Sequence, residues 1–187
     1  MTARVNVLTA GYVGERVAST VTLIQDGDAV IVVDPGMVVT RAAILGPLTS
    51  LGVRVEEVTD VVFSHHHPDH TLNAALFPNA RFHDHWAIYR DDVWDAREAD
   101  GYELSPSVRL MATPGHTAQD ISTLAETDDG LVVLTHLWWN ASGPAEDPLA
   151  QDGALLLKNR DKVLALSPAL IIPGHGAAWA PGGPTEA

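Results

Sequence analysis

Residues 63–70 read Phe-Ser-His-His-His-Pro-Asp-His, and they directly follow the apolar pair Val61-Val62. Four histidines and one aspartate fall within six positions at the end of what reads as a buried strand. A buried strand cannot carry that many nitrogen and oxygen donors inside the core without partners. Its end therefore has to lie at a sheet edge, where loops can gather donors around an ion and leave one face open to a substrate.

Three other stretches repeat the arrangement. Val-Arg-Leu-Met-Ala, residues 108–112, leads into Thr-Pro-Gly-His116-Thr. Leu-Val-Val-Leu, residues 131–134, leads into Thr135-His136. Ala-Leu-Ile-Ile, residues 169–172, leads into Pro-Gly-His175-Gly. All nine histidines lie between positions 65 and 175. Donors placed after several strand-like runs converge if those strands are neighbours in a sheet. Neutral imidazole together with carboxylate suits Zn²⁺, Fe²⁺ or Mn²⁺. His65 and His67, with one residue between, reach one metal from an extended loop. Asp69 and His70, one short turn later, face a second. Gly115 and Gly174 let the backbone turn tightly and bring His116 and His175 close to the centre. His66 is expected to point away from its neighbours. His83 and His85 read as supporting or surface residues, with the alternative that they touch the substrate pocket.

Short runs rich in Val, Ile and Leu give the rest of the fold. Strands are expected at 5–8, 20–24, 29–33, 58–63, 80–82, 108–112, 121–124, 131–135 and 170–172. Asp26-Gly27-Asp28 and Asp128-Asp129-Gly130 mark hairpin turns. Helices are expected from Thr40 to about Leu51, with Pro47 inside, and from Pro148 to about Leu166, with Asp147 as its cap and Pro168 beyond its end. Shorter helices are expected after His70 and after Asp84. The region from Trp86 to Ser107 reads as a loop or helix near the metal edge that acts as a lid. Strands in two groups with helices in both halves suggest an α/β layered sandwich. Residues 1–180 read as a single domain and 181–187 as a frayed tail.

Composition narrows the function. The chain has 187 residues, is 46% hydrophobic and has no cysteine, which excludes disulfides, thiolate ligands and a cysteine nucleophile. No apolar run approaches the ~20 residues of a membrane helix, and the first residues lack a signal-peptide pattern, so a cytoplasmic protein is expected. The formal charge of −13 repels polyanions over about 8 Å at physiological salt, and no Lys/Arg run offsets it. This disfavours nucleic acid as a substrate without forbidding it.

The motifs His65-x-His67-x-Asp69-His70, Pro114-Gly115-His116-Thr117 and Pro173-Gly174-His175-Gly176, with Asp34-Pro35-Gly36, resemble the metallo-β-lactamase superfamily of metal-dependent hydrolases. The stretch EDPLAQDGALLLKNRDKVLALSPALIIPGHG looks similar to the metallo-β-lactamase domain-containing protein 1 branch of that superfamily. The resemblance implies a four-layer αββα sandwich. It implies one metal held by His65, His67 and His116, and a second held by Asp69, His70 and His175, with a water or hydroxide between them. It implies zinc, one or two per chain, with iron or manganese as alternatives.

One position departs from the pattern. The family usually has Gly-Asp where this chain has Thr135-His136, and that aspartate bridges the metals. A neutral imidazole offers one lone pair and no charge. His136 then binds one metal only, or leaves the second site weak, or swings out of the centre; the first is the reading adopted.

The resulting expectation is a hydrolase acting on a small ester, thioester, lactone or amide, with Asp69 orienting the attacking hydroxide and carrying a proton to the leaving group. A phosphodiesterase or ribonuclease of the same fold, and a non-hydrolytic iron or sensor protein, are the alternatives. The cleft is expected to be open or completed by a second subunit in a homodimer. Trp138 and Trp139 either line it or pack in the core. Arg90 and Arg97 read as solvated or salt-bridged, with the alternative that one holds an anionic group.

Overall fold

The computed structural model describes residues 2–182; of the anticipated tail, residues 183–187 lie outside the described residues. Among the described residues, twelve strands form two sheets. The first sheet runs β1 (Arg4–Thr9), β2 (Val21–Asp26), β3 (Ala29–Val33), β4 (Asp60–Val62), β5 (Arg81–His83), β6 (Ala87–Arg90) and β7 (Val93–Ala96), in that spatial order. The second runs β12 (Leu170–Pro173), β11 (Gly130–Thr135), β10 (Ile121–Thr127), β9 (Val108–Ala112) and β8 (Glu103–Ser105). Helix α1 (Ala42–Ser50) follows β3, the four-residue α2 (Pro68–Thr71) follows β4, and α3 (Gly153–Ala165) precedes β12.

Strand alternation explains the layers. Successive side chains on a strand point to opposite faces. Ile24, Ile31, Val33 and Val62 point from the first sheet toward Leu110, Ile121, Val132, Leu134 and Ile172 of the second, forming the inner core. Their sequence neighbours Leu23, Val32 and Val61 point outward and pack with Ile44 and Leu48 of α1. On the other side Leu124, Val133 and Ile171 pack with Leu156 and Val163 of α3. Helix, sheet, sheet and helix make the αββα sandwich anticipated from the motifs. A one-residue slip in any central strand would exchange its two cores, so register is tightly specified.

Two parallel pairings fix the functional edge. β3 pairs parallel with β4, and β11 with β12. Their C-terminal ends therefore emerge side by side, carrying Asp34, the 64–70 loop, His136 and His175. Both predicted hairpin turns are present, joining Asp26 to Ala29 and Thr127 to Gly130 in register.

Three expectations are corrected. Among the described residues no helix directly follows Asp84; β6, β7 and β8 occupy the region read as a loop or helical lid. α3 begins at Gly153 rather than Pro148, and its cap is Asp152, whose side chain accepts from the Leu155 N–H. Asp147 is drawn away because it is bonded at the metal edge instead. Among the described residues, no helix is long and apolar enough to cross a membrane.

Candidate metal centre

α2 is built to present donors. His67 is its N-cap, Pro68 takes the first helical position, and Asp69 and His70 follow in its single turn. Gly36 makes this possible: a Cβ there would overlap the Asp69 carbonyl oxygen. Asp34 anchors the loop from below. It adopts φ 52°, a left-handed backbone that aspartate tolerates better than most residues. Its Oδ1 accepts from Ser64 N at 2.7 Å, and its Oδ2 accepts from Ser64 Oγ at 2.7 Å and from His70 Nδ1 at 2.8 Å.

The outer hydrogen bonds decide which nitrogen of each ring faces inward. Ser64 Oγ donates to Asp34, so it accepts from His65 Nδ1 at 3.0 Å. His116 Nδ1 donates to Asp147 Oδ2 at 2.7 Å, and His175 Nδ1 donates to the Ala18 carbonyl at 2.8 Å. His65, His70, His116 and His175 thus each turn Nε2 to the centre.

Two donor groups result. His67 Nδ1 lies 2.9 Å from His65 Nε2 and 3.1 Å from His116 Nε2. Two ligands on one tetrahedral zinc at ~2.0–2.1 Å bonds lie roughly 3.3 Å apart, close to these separations. A hydrogen bond from His67 can serve only one of its two neighbours, so an ion accounts for the convergence better than hydrogen bonding does. In the second group, Asp69 Oδ2 is 3.4 Å from His70 Nε2 and 3.6 Å from His175 Nε2. His136 Nε2 is 3.1 Å from His175 Nε2.

His136 belongs to both sets. The donor atoms of His65, His116 and His136 all lie within 4.8 Å of one another, as do those of His70, His136 and His175. Its ring centroid is 4.2 Å from that of His116 and 5.1 Å from that of His175. The reason for Gly174 is corrected: a Cβ there would overlap His136 Cδ2, so this glycine makes room for the ring. Gly115 likewise abuts Leu156 of α3.

A cation fits the site's electrostatics. His70 Nε2 and His136 Nδ1 are buried and have no hydrogen-bond partner among the described residues. Each such atom costs about 1–3 kcal/mol if left unmet. Burial, with the surrounding imidazoles, pushes the pKa of His65 and His136 well below the usual histidine range. Burial also lowers His116 and His175, against the pull of Asp147 on the first. These rings are neutral, as ligands must be. His70 is the exception: burial lowers its pKa, but Asp34 and Asp69 outweigh it and raise it to about 9. Burial raises the pKa of Asp69, but His70 and His175 outweigh it and hold it at about 2. Metal uptake at this second group would therefore displace a proton from His70.

The remaining assignments divide. His66 points away, with Nε2 3.0 Å from Asp84 Oδ2. His83 is buried against Asp60 at 2.8 Å and supports the sheet. Trp138 is core, packed edge-on against Trp179. Trp139 donates to Asp147 at 3.1 Å. Arg90, read as solvated or salt-bridged, lies exposed with Nε 3.7 Å from Asp91 Oδ2. Sequence reasoning missed the parts played by Asp147, Ser64 and the Ala18 carbonyl.

The geometry has counterparts. The family model of the metallo-beta-lactamase superfamily matches residues 14–108. The chain is 32% identical over 186 residues to metallo-beta-lactamase domain-containing protein 1 of Xenopus laevis, covering 92% of this chain and 79% of that one. It spans only 58% of the human protein of the same name. Among solved structures, it is similar to a Thermotoga maritima protein assigned to the metallo-beta-lactamases, with a TM-score of 0.74 at 23% identity over 97% of this chain and all of that one. It is also similar to an N-acyl homoserine lactone lactonase, with a TM-score of 0.67 at 20% identity over 93% of this chain and 91% of that one. These two structures share the fold.

Proposed function

Because the chain belongs to the metallo-beta-lactamase superfamily, we propose that its histidine-lined centre holds two zinc ions and hydrolyses an ester, thioester, lactone or amide of a small molecule. In general terms the protein is a metal-dependent hydrolase. The observation that carries the finer reading is the convergence of seven donors, four of them with the inward nitrogen set by an outer hydrogen bond. Of these substrates, the lactone is the one for which a neighbour of the same fold is named.

His65, His67 and His116 would hold one ion; Asp69, His70, His136 and His175 would hold the other. Zinc supplies an activated water, its pKa lowered from ~16 to ~7, and a Lewis acid for the scissile carbonyl. The chain's own residues do the rest. Asp34, Ser64, Asp147 and the Ala18 carbonyl keep the rings aligned. Asp69 is the single carboxylate among the seven donors and is partly exposed. Its Oδ2 faces His70 and His175, which leaves Oδ1 to orient the attacking water and pass a proton to the leaving group. The −13 charge weighs against a nucleic-acid substrate.

The test is a panel of p-nitrophenyl esters, lactones, thioesters and anilides beside bis(p-nitrophenyl) phosphate. It is run on the protein as purified, after chelation, and after zinc is restored. Turnover of a carboxyl-derived substrate is expected, lost on chelation and recovered with zinc. Full activity in the stripped protein, or phosphodiester cleavage far above all carboxyl substrates, contradicts the reading.

A further inference from the structure

Arg97 follows β7, and its backbone N–H donates to the Trp86 carbonyl at 2.9 Å, extending the β6–β7 pairing. Its side chain lies over the Tyr102 ring, with Cζ 4.9 Å from the centroid. Nε, Nη1 and Nη2 are all buried, and none has a hydrogen-bond partner among the described residues. A desolvated cation–π contact is worth about 2 kcal/mol, whereas burying an unpaired ion costs several. Tyr102 therefore does not balance the charge. Asp84 attracts the guanidinium through space, but no carboxylate accepts a hydrogen bond from it among the described residues. Asp84 is engaged by the Trp86 and Ala87 N–H groups through Oδ1 and by His66 through Oδ2. Glu98 forms no ion pair with Arg97 among the described residues.

Arg97 lines a cleft of about 360 Å³ with His85, Trp86, Ala96 and Glu98. His85 Nδ1 is a second buried nitrogen there without a partner. Trp86, 50% exposed, gives the cleft an apolar wall. The same indole stacks on His66 at 5.7 Å, and His66 sits between His65 and His67. The cleft is thus one ring away from the metal-holding loop.

We propose that Arg97 and His85 form an oxyanion site beside the metal edge that takes the acid group of an anionic substrate. The assignment to substrate rests on the hydrolase reading above. A guanidinium stays charged at any working pH and pairs a carboxylate or phosphate through a two-pronged contact. A substrate carrying its acid group on the acyl chain would be anchored here, with its scissile bond directed to the metals past Trp86 and His66.

The experiment compares the metal-loaded wild type with Arg97→Met, which keeps an apolar stem and removes an unpaired buried charge, a change that is neutral or stabilising for folding. Acetate at matched ionic strength is expected to raise the melting temperature of the wild type by a few degrees more than that of the variant. Acetate bound at the metals acts on both and cancels. Hydrolysis of the mono-p-nitrophenyl ester of adipate is compared with that of p-nitrophenyl hexanoate. The variant's KM for the acid-bearing ester is expected to rise about tenfold, with the neutral ester unchanged. An equal acetate response in the two proteins overturns the oxyanion site. A difference in melting without any difference between the esters overturns its assignment to substrate. If neither ester is turned over by the wild type, it is the ester reading of the metal centre that fails, and the acetate comparison still decides the site.

Discussion

Asp69→Asn is expected to cut turnover by roughly 10²–10⁴-fold while most of the bound metal stays in place. The amide matches the carboxylate in shape and keeps one oxygen as a weak donor. Six imidazoles remain, and His65, His67 and His116 do not depend on position 69 at all. What the substitution removes is the one anionic, proton-accepting group among the seven donors, partly exposed where a substrate would approach. Asp69 also contacts both His70 and His175, so its charge helps hold the second group together. Turnover number and metal content measured on the same sample separate the two roles. Loss of activity with metal retained supports proton transfer by Asp69. Full activity contradicts it, and loss of all metal would make Asp69 chiefly a structural ligand.

The second large effect is expected from a residue with no side chain. Gly174→Ala places a Cβ on top of His136 Cδ2. The imidazole has nowhere to retreat, because the ring centroids of His65, His70, His116 and His175 lie 4.2–5.1 Å from its own. The backbone is equally fixed: the Gly174 N–H donates to the Trp138 carbonyl and the Gly174 carbonyl accepts from Thr20 N–H. Either the ring tilts or the strand end shifts. Overpacking of this kind costs about 1–3 kcal/mol. Misaligning His136 and His175 together should weaken the second metal site by about 10–100-fold or more. Metal titration followed by calorimetry checks this. An unchanged second-site affinity would mean that the ring can move freely and that His136 is not held for ligation.

The candidate ligands were legible in the sequence because each follows a β-rich run, and strands that run the same way in a sheet end at one edge. The alternation of Leu23 with Ile24, or Val61 with Val62, also foretold buried strands, though not which face each residue would serve. The supporting shell was not legible. Asp34 reaches His70 across 36 positions, Asp147 reaches His116 across 31, and the acceptor for His175 is a backbone carbonyl with no sequence signature. Asp147-Pro148 reads as a strong helix start, yet the bond from His116 and the contact from Trp139 hold that aspartate at the metal edge, and the weaker Asp152-Gly153 pair starts the helix. β6 and β7 escaped notice because their residues are largely exposed and their two-residue turn has no glycine. Asp91 takes the positive φ there, at 54°. A lone Asp-Asp pair is a poor turn signal from sequence, although aspartate tolerates that conformation.

The position that departs from the family pattern also bears most on the account. His136 puts a neutral ring where the family has a bridging carboxylate, which would lower the negative charge around two divalent ions and weaken whichever binds second. The geometry nonetheless keeps the ring at the junction of both donor groups, and Gly174 clears the space for it. The most direct measurement is metal content per chain, by mass spectrometry on protein purified without added metal, for the wild type and His136→Ala. The account predicts two metals in the wild type and one in the variant, with the His65, His67 and His116 site retained. Two metals in both proteins would contradict a ligand role for His136, and an absence of metal from the wild type would contradict the centre itself.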